Sequence, residues 1–141
     1  MTRRLLSIVF AILCIPAIVA ADTFRVIVNR DNPVTTLKKA QVSKLLLKTQ
    51  TTWSNGNKVM PVDLRATSKV RDAMSRSIHG RSAAVIKNWW NQQIFAGKGV
   101  PPPERATDAM VIAYVLSNPG AVGYVSTEAN TSDVKVVVVK E

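Results

Sequence analysis

The stretch Ser117-Asn118-Pro119-Gly120-Ala121-Val122-Gly123-Tyr124-Val125 decides the fold class, because it turns a helix into a strand within a few residues. Proline cannot continue a helix, and glycine supplies the turn that ends it. Residues 121–125 then read as a short strand. Upstream, Thr107 is placed to cap the helix that stops here. Downstream, residues 134–139 form the last strand. Its Val136-Val137-Val138-Val139 run lacks alternation, the pattern expected of a strand covered on both faces.

The same alternation extends back along the chain. Residues 97–103, Gly-Lys-Gly-Val-Pro-Pro-Pro, suit neither helix nor central strand. Before them a helix is predicted over 82–95, with Val85, Ile86, Trp89, Trp90 and Ile94 as its apolar stripe. Adjacent helical positions point about 100° apart, so one tryptophan can enter the core while the other lies toward an edge. Ser68 is an N-cap candidate for a helix carrying Val70, Met74 and Ile78 on one face, with Gly80 as its stop. Residues 59–64 are a strand that Pro61 marks as an edge or bulge. A helix over about 38–48 aligns Val42, Leu45 and Leu46. Residues 24–28 open the fold as a strand running into the Asn29-Arg30-Asp31-Asn32-Pro33 loop. Strands alternating with helices make this an α/β layered domain, with no internal repeat or interdomain linker.

Residues 1–21 read as a secretory leader rather than part of the fold. Arg3 and Arg4 form a basic head, residues 5–19 an apolar core, and Val19-Ala20-Ala21 a small-residue cleavage site. The core is shorter than the ~20 residues of a spanning helix and Pro16 interrupts it, so a membrane anchor is the weaker reading. Cleavage after Ala21 leaves residues 22–141 as the mature domain, exported and not membrane-spanning.

The 141 residues carry 19 Lys+Arg against 9 Asp+Glu, a formal +10. Losing Arg3 and Arg4 with the leader reduces this to +8 and also removes the one cysteine, Cys14. An exported basic domain suits small anions or an anionic membrane face better than nucleic acid. One Cys and one His leave no donor set for a cysteine-rich zinc site or a multi-histidine metal centre, and no cofactor is expected. There is no nucleophile motif, Walker loop or dinucleotide fingerprint, so the reading is not an enzyme. His79 is expected to be a surface or helix-end histidine. Asp63 and Asp72 do not form a recognisable carboxylate pair.

The segment Asp63-Leu64-Arg65-Ala66-Thr67-Ser68-Lys69-Val70-Arg71 carries the most chemistry. It runs from a strand end into a helix start, where unpaired amides and the helix dipole favour an anion. Arg65, Thr67, Ser68 and Arg71 lie within one turn of that point. An ordinary capped helix with solvated basic side chains would show the same residues, and both readings stand.

Several segments together resemble the periplasmic-binding-protein-like domain of phosphate ABC transporter substrate-binding proteins. They are Val26-Ile27-Val28-Asn29 with Asn32-Pro33, and residues 41–48 followed by Trp53-Ser54-Asn55-Gly56. Arg65 with Ser68 and Arg71 resembles a contracted form of the family's anion loop. Trp90, Phe95-Ala96-Gly97-Lys98-Gly99 and Pro101-Pro102-Pro103 match a further stretch, and Pro119-Gly120-Ala121-Val122-Gly123-Tyr124 is close to the family's most specific signature. The resemblance covers most of residues 24–139. It implies a single type II lobe with a mixed, mostly parallel sheet flanked by helices. It implies a periplasmic solute-binding protein for phosphate or a similar oxyanion, with an ABC transporter permease or another envelope protein as partner. The implied ligand residues are Arg65, Thr67, Ser68 and Arg71, with Asn32 and Thr35 from the first loop. The sequence departs from the family in having Lys69-Val70 where the loop has Gly-Thr, and Lys48 where Gly is usual. Those departures, and the length of one lobe, also fit a ligand-free accessory or sensory module of the same fold.

Overall fold

The computed structural model describes residues 23–141, so the expected leader lies outside the described residues. The elements run β1 (Phe24–Val28), β2 (Thr36–Lys38), α1 (Lys39–Leu46), β3 (Met60–Pro61), β4 (Asp63–Leu64), α2 (Lys69–Met74), a π-helical turn (Ser75–His79), α3 (Ala83–Phe95), β5 (Glu104–Arg105), α4 (Asp108–Ser117), β6 (Ala121–Ser126), β7 (Lys135–Val136) and β8 (Val138–Lys140). The central sheet has the order β3-β6-β1-β7, and two-stranded pairs β2-β8 and β4-β5 lie beside it. Three of the five pairings are parallel, β3·β6, β2·β8 and β4·β5. The two made by β1, with β6 and β7, are antiparallel. This is the expected mixed, mostly parallel α/β sheet with helices against it.

An unbroken apolar run in a strand must be covered on both faces, since successive side chains alternate. Residues 121–125 are all buried in β6, which therefore sits inside the sheet between β3 and β1. Helix α4 covers it with Val111 and Val115, both fully buried. Gly123 allows that approach: a Cβ there would lie 2.7 Å from Val62 Cγ1 and 3.0 Å from Val111 Cγ1. Helix α1 contributes Val42, Leu45 and Leu46 to the same core, the face its spacing predicts. Each such side chain contributes about 2 kcal/mol on burial.

The two caps named from the sequence, Ser68 and Thr107, are in place, and Ser82 supplies a third. Ser68 Oγ accepts from the Arg71 amide, Ser82 Oγ from Val85, and Thr107 Oγ1 from Met110. Gly80 ends the π-turn in the left-handed region at φ 69°. Trp90 is buried and Trp89 half-buried, their rings edge-to-face at 4.7 Å. The apolar stripe of α3 is narrower than expected, however: Ile86 and Trp90 face the core, while Val85 and Ile94 are exposed.

Two strand expectations are corrected. The last strand is not covered on both faces, because Val136 and Val138 are 39% and 58% exposed. It breaks at Val137, whose amide donates to the Val26 carbonyl at 2.9 Å, while the next amide donates to Thr35. The chain thus crosses from the central sheet to the β2 edge and buries only Val134 and Val137. Residues 59–64 are likewise two short pieces. Val62 still donates to Val122, but Asp63 has already turned to the Pro103 carbonyl.

Candidate anion-binding loop

The 65–68 loop joins β4 to α2. The Arg65 amide donates to the Arg105 carbonyl at 3.0 Å, and the Ser68 amide returns to the Arg65 carbonyl at 3.0 Å. With Ser68 capping Arg71 at 3.2 Å, the amides of Lys69 and Val70 are left without intrahelical acceptors. Arg65 and Thr67 are exposed, and neither side chain has a hydrogen bond or ion pair among the described residues. Three of the expected residues, Arg65, Thr67 and Ser68, therefore share one exposed loop at a helix start.

Arg71 does something else. It is buried, and its guanidinium turns inward from α2. Nη1 donates to the Leu64 carbonyl at 2.9 Å and to Glu104 Oε1 at 2.6 Å, and Nη2 lies 3.5 Å from Asp63 Oδ2. Tyr124 completes the group by donating its hydroxyl to Asp63 Oδ1 and accepting the Leu64 amide at 3.2 Å. Burial would lower the Arg71 pKa, but Asp63 and then Glu104 overcome it and hold it above the usual value. Burial pushes Asp63 above the ordinary carboxylate range, against the opposing pull of Arg71 and the Tyr124 hydroxyl. Burial, then Asp63, raises Tyr124 far above a free phenol. The cluster ties β4, β5, β6 and α2 together. Sequence reasoning missed it because Asp63 and Tyr124 are 61 residues apart.

Asn32 and Thr35 lie elsewhere. Register sets the end of β1, Val28, beside Val122 near the start of β6, and sets Phe24 beside Ser126 at the end of β6. Asn32 follows the first of these ends. Arg65 follows β4, which continues β3 in the direction of β6 toward the second. Asn32 is buried, its Oδ1 accepts the Val34 amide at 3.0 Å, its Nδ2 has no hydrogen-bond partner among the described residues, and its carbonyl accepts from the Lys135 ammonium. Thr35 is exposed and its carbonyl accepts from Val138. No hydrogen bond or ion pair among the described residues joins either to the 65–68 loop.

Asp72 pairs with Arg76 at 2.8 Å and accepts the Ala83 amide at 2.9 Å, apart from Asp63. The Arg76 bond, then the Ala83 amide, keeps its pKa low. His79 is a helix-end residue, its Nδ1 2.7 Å from Ser43 Oγ, and burial followed by the Arg71 charge lowers its pKa to about 4. Among the described residues no three His, Cys, Asp or Glu side chains are grouped to hold a metal ion, and no helix is long and apolar enough to cross a membrane.

No family model and no curated protein matches the sequence. Solved structures do match the fold. An ABC-type phosphate transport receptor from Vibrio cholerae superposes with a TM-score of 0.66 at 21% identity, over 84% of this chain and 46% of its own. A protein assigned as a phosphate ABC transporter substrate-binding protein, from Clostridium perfringens with bound phosphate, gives 0.65 at 24% identity, over 84% and 45%. PstS of Borrelia burgdorferi gives 0.60 at 14%, over 85% and 48%. These are transport and substrate-binding proteins rather than enzymes, and this chain has their fold while spanning less than half their length.

Proposed function

We propose that the protein is a periplasmic solute-binding domain, exported by its leader as residues 22–141. It takes phosphate or a similar oxyanion at the 65–68 loop, reversibly and without bond chemistry. The observation that carries this reading is the exposed Arg65, unpartnered among the described residues, at the head of a helix whose other arginine is locked inside. Arg65 offers a two-pronged, charge-assisted contact, and Thr67 and Ser68 offer hydroxyls. The free amides of Lys69 and Val70 add donors. Arg71, held by Asp63 and Glu104, positions the loop rather than touching the anion. Asn32 and Thr35 support the first loop and take no part at this end of the sheet. Kinship of fold with phosphate transport receptors makes an ABC transporter permease, or another envelope protein, the partner class.

The test is calorimetric titration of the purified protein with phosphate at low ionic strength, with sulfate for comparison. Saturable heat is expected, weakened about tenfold or more in Arg65→Ala. No heat at millimolar phosphate, or equal affinity in the variant, would remove the reading. A ligand-free interaction module is favoured by one separate observation: Phe95 and Val100 are 96% and 62% exposed beside the exposed Ile94. That reading expects no phosphate heat.

A further inference from the structure

A cavity of about 210 Å³ lies beside the end of α1, and no residue of the 65–68 loop lines it. Its polar lining comes from Lys48, Lys58, Gln50, Thr51 and Tyr114, with no carboxylate among the described residues that line it. We propose that this cavity is a second binding site, for a small phosphorylated organic molecule. Its phosphoryl group would lie between Lys48 and Lys58, and its apolar part against Met60, Pro61 and Pro103.

Four observations support this. The Lys58 ammonium has no hydrogen-bond or ion-pair partner among the described residues, and that of Lys48 reaches only the Pro101 carbonyl at 3.5 Å. Two ammonium groups in a hollow without an acid suit a divalent anion, and a phosphate ester carries close to two charges near neutrality. Second, Lys48 has φ 59°, whereas the four other left-handed positions among the described residues, Gly56, Gly80, Gly97 and Gly99, are all glycine. A glycine would end α1 with less strain, so Lys48 presents its ammonium from a backbone geometry that a glycine takes more freely. Third, burial and then the charge of Lys58 hold Lys48 below the usual lysine range, a repulsion that an intervening anion relieves. Fourth, the Arg105 guanidinium lies 5.1 Å from the Tyr114 ring centroid, adding positive potential behind that wall. The apolar lining distinguishes the ligand from a bare ion, which would leave the proline wall unused.

The test is an NMR titration of the purified protein with phenyl phosphate, beside inorganic phosphate and phenol. Saturable shifts are expected at the amides of Thr51 and Tyr114, with inorganic phosphate weaker and phenol silent. Lys58→Gln and Lys48→Gly should each weaken binding about tenfold or more. The second variant keeps its fold because glycine takes φ 59° freely. Arg65→Ala should leave this titration unchanged while weakening the calorimetric one, so the two sites fail separately. Absence of saturable shifts, equal binding in both lysine variants, or shifts confined to residues 65–70 would overturn the site. Inorganic phosphate binding as tightly as phenyl phosphate would overturn the organic part, and phenol binding as tightly would overturn the anionic part.

Discussion

Replacing Arg71 with Met separates structure from ligand binding in the 65–68 region. The substitution removes the donors to the Leu64 carbonyl and Glu104, and the cation 3.5 Å from Asp63. Asp63 is left buried with only Tyr124 against it. Breaking a buried pair on one side costs about 3–5 kcal/mol, a large share of the ~5–15 kcal/mol that holds a domain of this size together. At ~4 °C per kcal/mol, the melting temperature of Arg71→Met should fall by roughly 12–20 °C at pH 7. The deficit depends on pH. Without Arg71 the folded-state pKa of Asp63 rises further above its unfolded value, so the penalty is full above that raised pKa and shrinks as the pH falls toward the unfolded one. Asp63→Asn in the same background removes the uncompensated charge and should recover part of the loss. Thermal and urea melts of the parent, both single variants and the double variant at pH 7 and pH 5 read all of this. A variant melting within about 2 °C of the parent at pH 7, with phosphate affinity lost, would show that Arg71 faces ligand and not the core.

Gly120→Ala should destabilise by more than ~3 kcal/mol or abolish folding, since its Cβ would lie 1.9 Å from the Lys58 carbonyl oxygen, a backbone atom that cannot rotate away; an unaltered urea midpoint would refute this. Gly123→Ala should cost less, because the atoms it meets belong to valine side chains. His79 titrates near 4 when folded against 6.5 when free, so its contribution is complete above pH 6.5 and is lost as the pH falls through about 4, up to about 3 kcal/mol. Asp63, raised on folding, works in the opposite direction over this range. The comparison is therefore between the urea midpoints of parent and His79→Gln: the parent's stability relative to the variant should fall as the pH drops from 6.5 to about 4 and stay constant below that; parallel pH profiles would contradict the half-buried, neutral histidine.

Much of the framework was legible because local rules decide it. Ser68 and Thr107 start helices where a hydroxyl meets an orphan amide, and Gly80 stops one. The spacing of Val42, Leu45 and Leu46 was enough to name the buried face of α1. What was hidden depends on partners distant in sequence. β2 and β5 are two or three residues long and exist only because β8 and β4 lie beside them. The valine run at the C-terminus reads as one strand, yet Val137 divides it between two sheets. That Arg71 turns inward, unlike its neighbour Arg65, is not readable from its position, because the pairing with Asp63 and Glu104 is made by the fold. Lys48 was visible as a departure from glycine, but its meaning needed Lys58, brought near by the 52–58 hairpin that the Thr52–Lys58 bridge closes.

The rims of the central sheet limit how this protein can assemble. One rim is β3, two residues long and ending in Pro61, which has no amide to donate; the other is β7, also two residues and carrying Lys135. Neither offers the length of free backbone that an incoming chain would need to extend the sheet. Extension of the central sheet at β3 or β7 by an added strand is therefore disfavoured, which leaves helix faces and loops as the larger surfaces for a polypeptide partner.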